Sequence, residues 1–123
     1  MLLELLEINP LRFKYPLQGF YRLVKKDFNF TLHLIIGLLV IVCGIYFSIT
    51  KVEWLFVISA ICLVMIVEAI NTAIEYTVDL VTDSYHTLAK YAKDVAAFAV
   101  VLACIYAVVI GFTVFIPYII RLL

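Results

Sequence analysis

The chain has 123 residues, nine Lys/Arg balanced by nine Asp/Glu, and 67% hydrophobic residues, against roughly 45–50% in an ordinary soluble domain. With a mean hydropathy of +1.17, this composition excludes a water-soluble fold and points to one integral membrane domain. A formal net charge of zero gives no reason to expect a nucleic-acid partner.

Residues 1–9 (MLLELLEIN) read as a short amphipathic piece that Pro10 is expected to end. Residues 11–28 mix leucines and aromatics with basic residues, with Pro16 and Gly19 as breaks. That mixture suits a helix lying in the headgroup region, so 1–28 is expected to be an interfacial segment. Its short apolar pieces and dense positive charge do not resemble a cleaved secretory leader.

The first spanning helix is expected over 30–50. Lys51-Val-Glu53 then makes a very short connection, so the second helix, 54–74, returns antiparallel. It is about 20 residues long, enough to cross a bilayer core, and its helical pattern continues through Glu75 and Asp79. Thr82-Asp83-Ser84 reads as a turn. The third helix begins near Tyr85 or His86, turns apolar after Asp94, and spans 95–117, with Arg121 capping the far side. Cys43, Cys62 and Cys104 fall inside the apolar runs and are expected to be buried, unpaired thiols.

Five of the nine Lys/Arg lie between Arg12 and Lys26, and Lys90 and Lys93 add two more on the same side. Only Lys51 and Arg121 lie opposite. The positive-inside rule therefore places the N-terminus and the 75–94 connection in the cytoplasm.

Glu68 lies inside the second apolar stretch. A carboxylate at mid-bilayer costs about 2.5–3.5 kcal/mol on insertion scales and marks a functional site by default. At 100° per residue, Asn71, Thr72, Glu75 and Asp79 fall at about −60°, +40°, −20° and +20° from it, forming one polar stripe. Glu75 sits about 10 Å nearer the cytoplasm. On the third helix His86, Lys90, Lys93 and Ala97 share a face, with Asp94 beside them. Asp27 arrives at the same depth just before the first span. Asp27, Glu75 and Asp79 offer hard oxygen ligands of the kind that hold Mg²⁺ beside substrate phosphates. Lys93 offers a cation for a phosphate, and Glu68 a sheltered carboxylate suited to general-base work. An intramembrane Glu can also do no more than pair with a Lys, and interfacial lysines can be anchors. Ala92, Ala96, Ala99, Ala103 and Ala107 make a small-residue packing stripe. Neither GxxxxGK[ST] nor GxGxxG is present, so no nucleotide motif of the usual kinds applies.

Residues 64–100 read VMIVEAINTAIEYTVDLVTDSYHTLAKYAKDVAAFAV. The run Glu68-Ala-Ile-Asn71-Thr-Ala-Ile-Glu75, then Val78-Asp79, His86 and Ala92-Lys93-Asp94, resembles the signature of the prokaryotic diacylglycerol kinase and undecaprenol kinase family. The resemblance extends from Arg12-Phe-Lys-Tyr15 through Gly19, Asn29-Phe30 and His33 to the end of the third helix, and Ile110–Pro117 is similar to the Gram-positive, undecaprenol-preferring branch.

The resemblance implies an all-α membrane protein with three transmembrane helices and an amphipathic surface helix. It also implies a homotrimer in the bacterial plasma membrane, with sites shared between subunits. Such an enzyme moves the γ-phosphate of MgATP to a lipid hydroxyl. Undecaprenol is the leading acceptor and diacylglycerol the alternative. Carried over by position, Glu68 is the general base toward the lipid, and Asp27 and Glu75 are metal ligands. Asn71, Lys93 and Asp94 surround the phosphates. Tyr15, Ser84, Tyr85 and His86 contact the nucleotide, and Ala97 lies near the lipid. Asp27 stands where the family usually has Glu, and Phe98 where it has a small residue. Those two departures keep open a degenerate, non-catalytic lipid-binding paralogue, and Glu68 alone would also fit a small proton-coupled transporter.

Overall fold

The computed structural model describes residues 10–123; the expected amphipathic piece over 1–9 lies outside them. A 3₁₀ turn over Pro10–Phe13 leads into α1 (Lys14–Lys26), followed by α2 (Phe28–Phe47), α3 (Lys51–Val81) and α4 (Thr87–Leu122). Among the described residues there is no strand. The last three helices are each long and apolar enough to cross a membrane. Most of their large apolar side chains face outward, Leu39, Leu55, Val95 and Phe112 among them. Water would penalise such a surface at about 25 cal/mol per Å², whereas lipid does not.

α1 runs unbroken through Pro16 and Gly19, which the sequence reading takes as breaks. Pro16 falls in the first turn, where its missing N–H has no helical partner to lose. Nothing lies within 4 Å of a Cβ built on Gly19, so that residue costs only propensity. Leu17, Phe20 and Val24 share one face of α1 at helical spacing, continuing from Phe13 in the preceding turn, with Lys14, Gln18, Arg22 and Lys25 on the other. The Phe20 ring meets Phe30 edge-on at 6.0 Å, and the Thr31 hydroxyl donates to the Val24 carbonyl at 2.9 Å. Both contacts dock α1 on the start of α2.

Helix boundaries follow their caps. Asp27 caps α2, its Oδ1 accepting from the Phe30 N–H at 3.2 Å, so the helix starts at Phe28 and not at Phe30. It ends at Phe47, because Ser48 takes a left-handed conformation (φ 52°) and the Ile49 N–H closes back on the Gly44 carbonyl at 3.2 Å. The connection is therefore 48–50. Lys51–Glu53 belong to α3, because Thr50 and Glu53 form a capping box with bonds of 2.9 and 3.2 Å. α4 starts at Thr87 and continues past Pro117 to Leu122. Its last turn is held from outside: Tyr118 donates to Glu53, stacks at a tilt on Phe47 and carries Arg121 over its ring.

α3 packs mainly on α4 and less extensively on α2. Ile49, Val57 and Val114 form the buried core near the Thr50 end, with Trp54, Phe47 and Phe115 around them. Gly44 admits the Trp54 indole here, since a Cβ would lie 2.6 Å from its ring. Gly44→Ala is expected to cost about 1–3 kcal/mol through overpacking, read as a lower thermal midpoint in detergent; an unchanged midpoint would mean that the indole moves freely. Of the three cysteines, all free, Cys43 and Cys62 lie on outward faces and are not buried as expected. Lipid-facing thiols carry no solvation penalty, so these helices have no need to bury them.

At 1.5 Å per residue α3 is about 46 Å long and α4 about 54 Å, both longer than a hydrocarbon core of about 30 Å. The excess projects largely at the Val81 and Thr87 ends, where the polar stripe emerges.

Candidate functional site

Three polar side chains are buried among the described residues, and all three stand on one face of α3: Glu68 (3% exposed), Asn71 (8%) and Thr72 (5%). Their spacing of three and four residues makes them helical neighbours. Asp27 meets them from the α1–α2 junction. Its Oδ2 accepts from the Thr72 hydroxyl while its Oδ1 caps α2, so both oxygens are tied before any ligand arrives. Glu75 completes the group at the outer edge, accepting from Asn71 Nδ2 at 3.4 Å. The charges of Asp27 and Glu75 both bear on Glu68. Glu68 is buried, Asp27 half-buried and Glu75 exposed, so negative charge runs from the sheltered carboxylate out to the surface, and a cation near Asp27 and Glu75 would relieve the repulsion on Glu68.

Asn71 Oδ1 is buried and has no hydrogen-bond partner among the described residues. An unsatisfied buried acceptor costs about 1–3 kcal/mol, so a donor or cation that reaches Oδ1 is favoured there.

One level outward, Lys93 of α4 reaches Asp79 of α3 at 2.7 Å, and Lys90 pairs with Asp94 on its own helix at 2.6 Å. The Lys93–Asp79 and Tyr118–Glu53 pairs fix one antiparallel register for α3 and α4. That register sets Cys104 beside Glu68, whose charge bears on it. Ala97 falls level with Glu75, about 10 Å outward from Glu68. Phe98 faces outward at 59% exposure, so within one chain its ring crowds no helix contact.

The structure thus brings Asp27, Glu68, Asn71 and Glu75 together, with Lys93 and Asp94 above them on α4. Tyr15, Ser84, Tyr85 and His86 are exposed, and none of them hydrogen-bonds to the cluster. His86 and Ser84 shape the α3–α4 loop instead. His86 Nδ1 accepts from the Leu88 N–H at 3.1 Å and so caps α4, and the Ser84 N–H donates to the Thr82 hydroxyl at 3.3 Å. Thr72 is the site residue left out of the sequence-derived set. Its place on the Glu68 stripe was the available signal, and its partner across the fold was not legible.

Metal chemistry fits this donor set in one way. Among the described residues no three His, Cys, Asp or Glu side chains converge as a metal cage. Asp27 and Glu75 supply two hard carboxylates, which suits Mg²⁺ held jointly by protein and substrate phosphates and not a closed Cys/His zinc site. Deeper than Glu68, an apolar cavity of about 540 Å³ opens between α2, α3 and α4, lined by His33, Gly37, Val64, Cys104, Gly111 and Phe112 among others.

Residues 14–115 match the family described as prokaryotic diacylglycerol kinase. The chain is 37% identical over 100 residues to the undecaprenol kinase of Bacillus subtilis, covering 81% of each protein. It is 41% identical over 106 residues to a diacylglycerol kinase of Synechocystis, covering 85% of this chain and 61% of that protein. It is also 33% identical over 99 residues to the diacylglycerol kinase of Haemophilus influenzae, covering 80% and 84%.

Proposed function

The chain belongs to the prokaryotic diacylglycerol kinase family and is a lipid kinase, and from that premise we propose that it transfers the γ-phosphate of MgATP to the hydroxyl of undecaprenol at the cytoplasmic face of a bacterial plasma membrane. The observation that carries the reading is the buried Glu68 carboxylate, 3% exposed, standing between an apolar cavity and a ring of carboxylates and lysines. A lipid whose chain lies in the cavity would present its hydroxyl to Glu68.

The chemistry follows from the residues. Glu68 takes the hydroxyl proton as the lipid oxygen bonds to phosphorus, and the β–γ bridging oxygen leaves with ADP. Asp27 and Glu75 would hold Mg²⁺, which supplies charge neutralisation on the phosphate oxygens when bound. Lys93 is parked on Asp79 at 2.7 Å and exchanges that carboxylate for a phosphate. Asp94 holds Lys90 at 2.6 Å, keeping a second cation at the same mouth. Tyr15, Ser84, Tyr85 and His86 stand apart from the cluster within one chain, an arrangement compatible with the homotrimer that the family resemblance implies, in which neighbouring subunits would complete the nucleotide site.

Undecaprenol is preferred over diacylglycerol on the similarity of Ile110–Pro117 to the undecaprenol-preferring branch and on the 37% identity to an undecaprenol kinase over 81% of both proteins; the apolar cavity would take the chains of either lipid. Asp27, one of the two departures behind the degenerate reading, has a structural reason to be short. The short carboxylate is an N-cap, a role for which Asp is strongly preferred, and Thr72 anchors it from α3. The deciding experiment supplies the purified protein with MgATP and either lipid in mixed micelles. Undecaprenyl phosphate is expected to form with the higher kcat/KM. A higher value for diacylglycerol would reassign the acceptor, and no phosphorylated lipid from either would favour the degenerate paralogue.

A further inference from the structure

Asn71 has an acceptor with nothing to accept. Its Oδ1 is buried without a hydrogen-bond partner among the described residues, while its Nδ2 faces Glu75 Oε1 at 3.4 Å. The orientation of the amide follows from that neighbour, since a carboxylate can only receive a hydrogen bond from Nδ2. Asn71 and Glu75 are four residues apart on α3 and share a face, with Asp27 bonded to the adjacent Thr72. Asn71 therefore stands beside both carboxylates, with its amide nitrogen on Glu75 and its oxygen as the unengaged arm.

The chemistry of Oδ1 limits what can satisfy it. A phosphate oxygen offers no proton, so an amide oxygen turned toward it would be repelled. The lipid hydroxyl has a single proton, which Glu68 takes one turn deeper. A divalent cation, directly or through a water of its hydration shell, satisfies an amide oxygen fully, and amide carbonyls are ordinary ligands for hard cations. We infer that Asn71 Oδ1 is a third oxygen donor to the divalent cation, alongside Asp27 and Glu75, so that this side chain recognises metal and not phosphate. The inference rests on the reading that Asp27 and Glu75 hold that cation.

The test measures Mn²⁺ binding to the purified full chain by the loss of the free-ion electron paramagnetic resonance signal, without nucleotide and independently of turnover. Wild type, Glu75→Gln, Asn71→Ala and Asn71→Asp are compared after equal helix content is verified by circular dichroism. Asn71→Ser, whose short hydroxyl can bond back to its own helix, replaces the Ala variant if that fails to fold. Glu75→Gln and Asn71→Ala are each expected to weaken Mn²⁺ binding about tenfold or more. Asn71→Asp is expected to bind as tightly as wild type or tighter. That rescue separates a ligand from a positioning residue, since Asp restores the oxygen but cannot donate to Glu75. Loss in Glu75→Gln with wild-type affinity in Asn71→Ala would overturn the Asn71 assignment and leave the metal site standing, as would failure of Asp to rescue. Equal binding by Glu75→Gln and wild type, or none by either, would overturn the metal reading and this inference together.

Discussion

Glu68→Gln is expected to lower kcat for lipid phosphorylation by about 10²–10⁴-fold, the usual contribution of a positioned general base, with little change in the KM for MgATP. Gln matches Glu in shape and hydrogen-bonding reach but cannot take the hydroxyl proton. The substitution is nearly isosteric at a buried position, so the variant should pack as the parent does. A fall in activity then reports chemistry and not collapse. Steady-state assays over a range of lipid and ATP concentrations check it. A raised KM with kcat intact would place Glu68 in binding alone.

Lys93→Met carries the second-largest expected effect, about 10²–10³-fold in kcat, in line with removal of one preorganised charge from a developing anion. Met keeps the length and the apolar stem, so packing on α3 survives. Lys93 stands 2.7 Å from Asp79, and both partners are substantially exposed, which makes the ion pair itself worth little to stability. Its value lies in holding the ammonium in place until a phosphate displaces the carboxylate. Asp79→Asn is the matched control and should cost much less activity. Equal losses in both variants would mean that the pair acts only as a clasp between α3 and α4.

The polar stripe on α3 was legible in the sequence because helical spacing is local. Glu68, Asn71, Thr72 and Glu75 fall on one face by arithmetic, and burial of the first three follows from turning that face away from lipid, where a charge is costly, while Ile66 and Ile70 at the same depth face outward. The pairing of Lys93 with Asp79 was foreshadowed by the short α3–α4 loop, which obliges the two helices to run back along each other. What depends on contacts distant in sequence was not legible. Nothing in the local pattern says that Thr72 donates to Asp27, 45 residues away, or that Asp27 is at once cap and cluster member. The sequence rules read Pro16 and Gly19 as breaks and end the third span at Pro117. Pro16 sits in a first turn where its N–H is not needed, and α4 continues past Pro117 to Leu122, with its last turn tied to Glu53 and Phe47 through Tyr118. The turn at Lys51–Glu53 moved to 48–50 because a capping box took those residues into α3.

The same distinction bears on Asp27. Read alone, a carboxylate one methylene shorter than the family's usual Glu looks like a weakened ligand. In the fold it is anchored twice, by the Phe30 N–H and by the Thr72 hydroxyl. The shorter arm is thus matched to a cap that brings the start of α2 close against α3.

The central claim is that Glu68 removes the proton from a lipid hydroxyl in the phosphoryl-transfer step. A single-turnover experiment tests it most directly: protein preloaded with γ-labelled MgATP is mixed with undecaprenol micelles, quenched at intervals, and the labelled lipid is counted. The account predicts that Glu68→Gln protein loads nucleotide as wild type does but transfers label at least about a hundredfold more slowly; equal single-turnover rates in the two proteins would contradict it.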